Sequence, residues 1–186
     1  MWERTLTVNG FSKAYSMTGW RLGYLAAPPQ FAAAANKIQS QTTSAPSSIS
    51  QHAGLAALAL GPHGGKPVKS MVEAFRQRRD FVVAALDAMP GVRIHAPDGA
   101  FYVFPDVSSL IGPDVVAEGF GAVPDGDALC KYLVEHAQVA AVPGSAFGQP
   151  DCIRLSYAAS MDVLKEGLSR VARALDPSVL RHHNQS

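Results

Sequence analysis

The sequence predicts an α/β chain, and three observations carry that expectation. Short β-prone runs at 5–8, 22–26, 92–95, 101–104, 139–142 and 152–158 punctuate the chain. Between them lie segments whose apolar residues recur at helical spacing, the longest being 68–89 with Val68, Met71, Val72, Phe75, Val82, Leu86 and Met89. Strands and helices interleave, which is the pattern of an α/β fold.

The first two strands, 5–8 and 22–26, flank a loop that turns through Gly10 and carries Lys13 and, eight residues on, Arg21. A lysine just after one strand and an arginine just before the next can sit at the same end of a sheet. An amine there can reach a ligand's carbonyl, and a guanidinium can hold its phosphate. Pro28-Pro29 then breaks the chain, and Pro29 suits a first helical turn. Residues 30–40 are Ala-rich, with Phe31, Ala34, Ala35 and Ile38 on one face. Residues 39–48 are polar without apolar periodicity and read as a loop. A second helix is expected over 49–60. Gly64-Gly65-Lys66-Pro67 lacks the spacing and the hydroxyl of a phosphate loop and reads as a turn. Arg76, Arg78 and Arg79 read as a solvated face of the long helix.

Pro90-Gly91 ends that helix, and Pro97-Asp98-Gly99 turns between two strands. Residues 106–125, rich in Gly, Pro, Asp and Ser, are expected to be a surface excursion. Asp125 offers a cap for a helix over 128–136. After the strand at 139–142, residues 143–150 form a loop. The strand at 152–158 turns Ile153, Leu155 and Tyr157 to one face, with Arg154 and Ser156 on the other. On alternation alone, Arg154 is the wet side of a strand. Ser160 caps a last helix with Leu164, Leu168, Val171, Ala172 and Leu175 as its stripe, and a polar tail begins at Arg181.

Composition narrows the function classes. The 186 residues, 47% of them hydrophobic, suffice for one domain or parts of two. A formal net charge of +1 offers no electrostatic reason for a nucleic-acid or anionic-membrane partner. Cys130 and Cys152 form no CxxC pattern and read as free thiols of a reducing compartment. No run is long enough to span a bilayer, and MWERTLTVNG is not a signal peptide, so a cytoplasmic location is expected. The six histidines, including the pair His182-His183, show no ligand spacing, and no metal is expected.

The stretch Gly10-Phe11-Ser12-Lys13, then Met17, then Gly19-Trp20-Arg21-Leu22-Gly23, resembles the cofactor-lysine signature of class I/II aminotransferases, in the fold-type I pyridoxal-phosphate family. It is most similar to the bacterial aspartate aminotransferase branch. Further segments resemble that branch in the same order: the polar run from Ser40 to Gln51, Arg78-Arg79-Asp80, GAFYVFP at 99–105, VPGSAFG at 142–148 and IRLSYA at 153–158. The resemblance implies the C-terminal part of the fold-type I fold. Residues 1–60 would end the large cofactor domain, 61–180 would form the small α/β domain, and 181–186 would be a tail.

It also implies chemistry. Lys13 would bond to the aldehyde of pyridoxal 5′-phosphate and carry a proton to and from the substrate α-carbon. Arg21 would pair with the cofactor phosphate. Arg154 would hold the substrate α-carboxylate, which reverses the wet-face reading. Tyr15, Trp20, Tyr102 and Phe147 read as packing. The substrates would be an amino acid, aspartate or similar, and a 2-oxo acid, in a homodimer as in the full-length family. The family's ring-stacking aromatic and the Asp that pairs with the pyridine nitrogen lie upstream of the lysine, and only twelve residues precede Lys13. The chain therefore reads as a truncated C-terminal part with little activity alone, the alternative being an inactive α/β fragment that at most binds a partner subunit.

Overall fold

A computed structural model describes residues 1–182, which form two compact units divided between Val72 and Glu73. In the first, β1 (Thr7–Gly10) and β2 (Gly23–Ala26) pair antiparallel from Thr7↔Ala26 to Gly10↔Gly23. Gly23 is needed at the closing end: a Cβ there would lie 2.9 Å from the Asn9 carbonyl oxygen. Helices α1 (Pro29–Thr42) and α2 (Ser48–Leu58) follow. Helix α1 runs three to four residues into the stretch that reads as a polar loop. The reason is local. The Ser40 and Thr42 hydroxyls donate to the carbonyls of Lys37 (2.8 Å) and Ile38 (3.1 Å), so the turn closes without an apolar face. No residue of α1 is buried, and Ile38 is 66% exposed.

Helix α3 (Gly65–Asp87) straddles the division between the units. It begins three residues before the expected start, because Pro67 in the first turn gives up an N–H that has no helical partner. Its arginines behave as a solvated face: Arg76 pairs with Glu73 and Arg79 with Asp80, both at 2.7 Å, and Arg78 lies over the Phe75 ring.

The second unit holds two small antiparallel sheets. One has the order β3 (Tyr102–Val103), β7 (Ile153–Ser156), β6 (Val142–Pro143). The other has the order β5 (Gly121–Ala122), β4 (Val115–Ala117), β8 (Leu180–His182). Helix α4 (Gly126–Tyr132) continues into a π-helical turn, Leu133–Ala137, and α5 (Met161–Ala174) precedes β8. Asp125 and Ser160 cap α4 and α5 as expected, accepting from Ala128 N at 2.8 Å and Val163 N at 3.3 Å.

Three expectations change here. Residues 106–125 are no surface excursion, since Val115, Ala117 and Val123 are buried and β4 forms the middle of a sheet. The stretch 92–95 forms no strand, only a bridge between Arg93 and Asp106. Residues 181 and 182 belong to β8; the rest of the expected tail, with His183, lies outside the described residues. Short strands of this kind have too few residues for alternation to show, and burial alone reveals them.

One core unites the second unit: Val82 and Leu86 of α3, Val103, Ile153 and Leu155 of the first sheet, Leu129 and Leu133, and Leu164, Leu168 and Val171 of α5. Each such side chain contributes roughly 1.5–3 kcal/mol on burial. Ala172, expected in the α5 stripe, is exposed, and Ala174 takes the buried place. The buried Tyr132 hydroxyl donates to the Ala174 carbonyl at 3.0 Å.

Asp106 ties the segment around Arg93 to this unit. Its backbone exchanges two hydrogen bonds with Arg93 (2.8 and 3.0 Å), and its carboxylate accepts from Ser108 N (2.9 Å) and the Arg93 guanidinium (2.7 Å). The Ser108 N–H, then Arg93, hold its pKa at about 2. A folded-state pKa below the unfolded value stabilises the fold above about pH 4, and that contribution disappears as pH falls toward 2. Asp106→Asn is therefore expected to lower the melting temperature at pH 7, with the difference from the unsubstituted chain shrinking between pH 4 and pH 2. Thermal melts across that range check it.

Candidate active site

The Lys13 loop is the whole connection between β1 and β2, residues 11–22. Because the two strands form an antiparallel hairpin, Lys13 and Arg21 necessarily lie at the same end of it. Two apolar anchors fix the connection. Phe11 and Met17, with 4% and 9% of their surface exposed, bracket Lys13 and pack with Ala57 of α2, flanked by Tyr15, Leu22 and Ala53. Lys13 itself is on the exposed side.

Thr18 locks the two halves of the loop together. Its hydroxyl donates to the Ser12 carbonyl at 3.0 Å, and its carbonyl accepts from Arg21 Nη1 at 2.9 Å. The Ser16 N–H donates to the Lys13 carbonyl at 3.2 Å, closing a tight turn. Ser16 and Arg21 both take the left-handed conformation, with φ of 54° and 50°. For residues with a Cβ this costs of order 1–2 kcal/mol each, which the anchors and hydrogen bonds offset. Sequence reading did not single out Thr18. Its position between Met17 and Gly19 is unremarkable until the loop closes over it.

Charge favours an anion at this unit. Residues 1–72 carry six Lys and Arg and a single acid, Glu3, an asymmetry that the near-neutral whole chain conceals.

Arg154 belongs to the second unit, on the central strand β7 of its sheet. It is half-buried, not the solvated residue that alternation alone suggests. Its Cζ lies 4.3 Å from the centroid of the Tyr102 ring and 4.4 Å from that of Phe147. Among the described residues no carboxylate pairs with it, whereas Arg79, Arg93 and Arg170 each meet an acid at 2.7–2.8 Å. Tyr102 and Phe147, read from sequence as packing, thus flank a charge. Their closeness in register to Arg154 becomes visible only once β3, β7 and β6 are known to be neighbours.

The two cysteines take no part. Cys130 is buried, and burial pushes its thiol up to about 11; the same cause raises Cys152. Among the described residues no cluster of His, Cys, Asp or Glu could hold a metal, and no helix is long and apolar enough to cross a membrane.

Comparison with known proteins agrees with this architecture. The family model for aminotransferase class I and II matches residues 2–174. An aspartate aminotransferase of Pinus pinaster is 59% identical over 175 residues, covering 94% of this chain and 35% of that protein. The bifunctional aspartate aminotransferase and glutamate/aspartate-prephenate aminotransferase of Petunia hybrida is 57% identical, covering 94% and 36%. The crystal structure of the aspartate aminotransferase from Rhizobium meliloti matches with a TM-score of 0.89 at 46% identity, covering 97% of this chain and 43% of that one.

The chain belongs to the class I and II aminotransferase family, and its α/β fold is that of part of a fold-type I enzyme. It spans between 35% and 43% of the length of these relatives.

The seating of the lysine loop on α2 leads to a first test of the site. A Cβ on Gly54 would run into Leu22 Cδ2 and lie 3.3 Å from Phe11 Cζ. Gly54→Ala is expected to destabilise the chain by about 1–3 kcal/mol through overpacking. Combined with Leu22→Ala, it should cost less than the two single changes added together. Denaturant melts of the four chains of that cycle measure the coupling.

Proposed function

We propose that this chain is part of a pyridoxal-phosphate-dependent aminotransferase that exchanges the amino group of aspartate or a related amino acid with a 2-oxo acid. The observation that carries the reading is the placement of Lys13 and Arg21 on one braced loop at one end of a hairpin. The donor set fits the cofactor: a primary amine suits an aldehyde, and a permanent planar cation suits a phosphate dianion. When bound, pyridoxal phosphate supplies the electron sink for charge that develops at the substrate α-carbon.

Within that reading, Lys13 would hold the cofactor through its Nζ, and the same amine would carry the proton to and from the substrate α-carbon. Arg21 binds the phosphate, its guanidinium already aimed by the Thr18 carbonyl. Arg154 binds the α-carboxylate through its N–H rim, which no protein acid occupies among the described residues. The names of the relatives, aspartate aminotransferases of plants and bacteria, support the substrate class. The same proposal includes a division into the end of a large domain, 1–60, and a small domain, 61–180; the two compact units support a two-part division, although they part between Val72 and Glu73 and not after residue 60. It also includes a homodimer and a cytoplasmic location.

The test is chemical. The chain is mixed with pyridoxal phosphate, reduced with borohydride, digested and mapped by mass spectrometry. The label is expected on Lys13, and Lys13→Ala should remove it. Arg21→Ala should raise the cofactor concentration for half-labelling roughly ten- to a hundredfold, as expected for loss of a charge-assisted hydrogen bond. Equal labelling of Lys13, Lys37, Lys66 and Lys69 would overturn the reading.

A further inference from the structure

We propose that Tyr102 and Phe147 are positioning residues for Arg154: their rings hold the guanidinium between them and leave its N–H rim to be read by a carboxylate. This rests on the reading of Arg154 as the carboxylate-binding residue.

The two rings reach Arg154 from opposite flanks of β7. Tyr102 lies on β3, where it pairs with Ser156, two residues beyond Arg154. Phe147 closes a 3₁₀ turn, Gly144–Phe147, that follows β6, and Val142 of β6 is the direct partner of Arg154. The central strand therefore presents the guanidinium into a slot whose walls are built by its two neighbours. Centroid distances of 4.3 and 4.4 Å are well inside the range in which a ring face attracts a cation.

Both walls are braced from behind. Phe104 meets Phe147 edge-on, with centroids 6.0 Å apart and planes at 87°. The Tyr102 ring contacts Phe101 at 4.5 Å. The turn that carries Phe147 is pinned at Gly144, whose N–H donates to the Cys152 carbonyl at 2.8 Å and whose carbonyl accepts from Gln149 N at 3.0 Å. A Cβ on Gly144 would collide with the carbonyls of Gln149 and Cys152, so only glycine seats the turn this closely.

The chemistry follows from what is covered and what is not. The two ring faces displace water from beside the guanidinium carbon and offer the guanidinium no hydrogen-bond acceptor. Its N–H groups, which are fixed in the plane, remain to be satisfied. No described acid does so, in contrast to the acid-paired Arg79, Arg93 and Arg170. A planar carboxylate approaching in that plane makes two parallel hydrogen bonds. The walls also cut the rotamer freedom of a long side chain, so less is lost when the ligand binds. Lysine in the same slot would keep the charge but lose the plane that the rings grip.

The experiment titrates the 186-residue chain with succinate and follows the Arg154 Nε–H resonance by NMR, together with the dissociation constant. Succinamide, the same skeleton without carboxylates, is the control probe. Tyr102→Leu and Phe147→Leu are each expected to weaken succinate binding about three- to thirtyfold and to shift the Arg154 resonance as a ring current is lost. Tyr102→Phe and Phe147→Tyr, which keep the rings, should stay within about twofold of the unsubstituted chain. Arg154→Lys should bind at least about tenfold more weakly.

If the leucine variants bind succinate like the unsubstituted chain while Arg154→Ala does not, the positioning role is wrong and the carboxylate site stands. If the ring-preserving variants lose as much as the leucine variants, the rings are not what aims Arg154, and the proposal is equally overturned. If Arg154→Ala binds as well as the unsubstituted chain, or succinamide as well as succinate, the underlying reading of Arg154 falls.

Discussion

The packing of Phe11 and Met17 against Ala57 is the constraint on which the lysine loop depends. A loop of twelve residues between two short strands has much conformational freedom to lose. Two buried side chains on either side of Lys13 remove most of it, since each can be satisfied only by seating on α2. Once they are seated, the stretch from Ser12 to Ser16 has to turn tightly, and Thr18 falls within reach of the Ser12 carbonyl. The left-handed backbone at Ser16 and Arg21 is tolerated because the rest of the loop over-determines it. The backbone at Lys13 and Arg21 is thus held by its neighbours, and the Arg21 guanidinium is itself steered by its hydrogen bond to the Thr18 carbonyl.

The second unit solves the corresponding problem for Arg154 in another way. A strand in the middle of a sheet has its backbone position set by hydrogen bonds on both sides. The side chain is then steered by residues that the flanking strands bring alongside. Ile153 and Leu155 are buried on either side of it in sequence, so a register slip would expose both and bury the charge. The apolar core therefore specifies where the arginine points as firmly as any polar contact does.

Charge is distributed differently from what the near-neutral total suggests. Residues 1–72 hold six basic residues against one acid, and residues 73–186 hold ten against fourteen. A phosphate-bearing ligand finds the first unit electrostatically favourable, while in the second unit Arg76, Arg79, Arg93, Lys131, Arg170 and Arg181 each already face an acid. Arg154 differs in being half-buried between rings, where an incoming anion competes with less water.

The sequence by itself determined the α/β class, the positions of the longer helices, both helix caps at Asp125 and Ser160, and the family, because each is written in local patterns of a few residues at fixed spacing. It also showed that Lys13 and Arg21 sit on one connection between two strands, since their separation along the chain leaves no other arrangement once those strands pair. Tertiary structure alone decided what was non-local. The stretch 106–125 lacks periodicity, yet β4 is buried within it because β5 and β8 come to either side. Helix α1 extends through Thr42 on hydroxyl-to-carbonyl bonds that no hydrophobic pattern records. Tyr102 lies 45 residues before Phe147 and 52 before Arg154, and by sequence the three are one candidate site residue and two packing aromatics. They form a single cluster because β7 lies between β3 and β6, and strand order is set by the burial of whole faces, a property of the assembled sheet and not of any one segment.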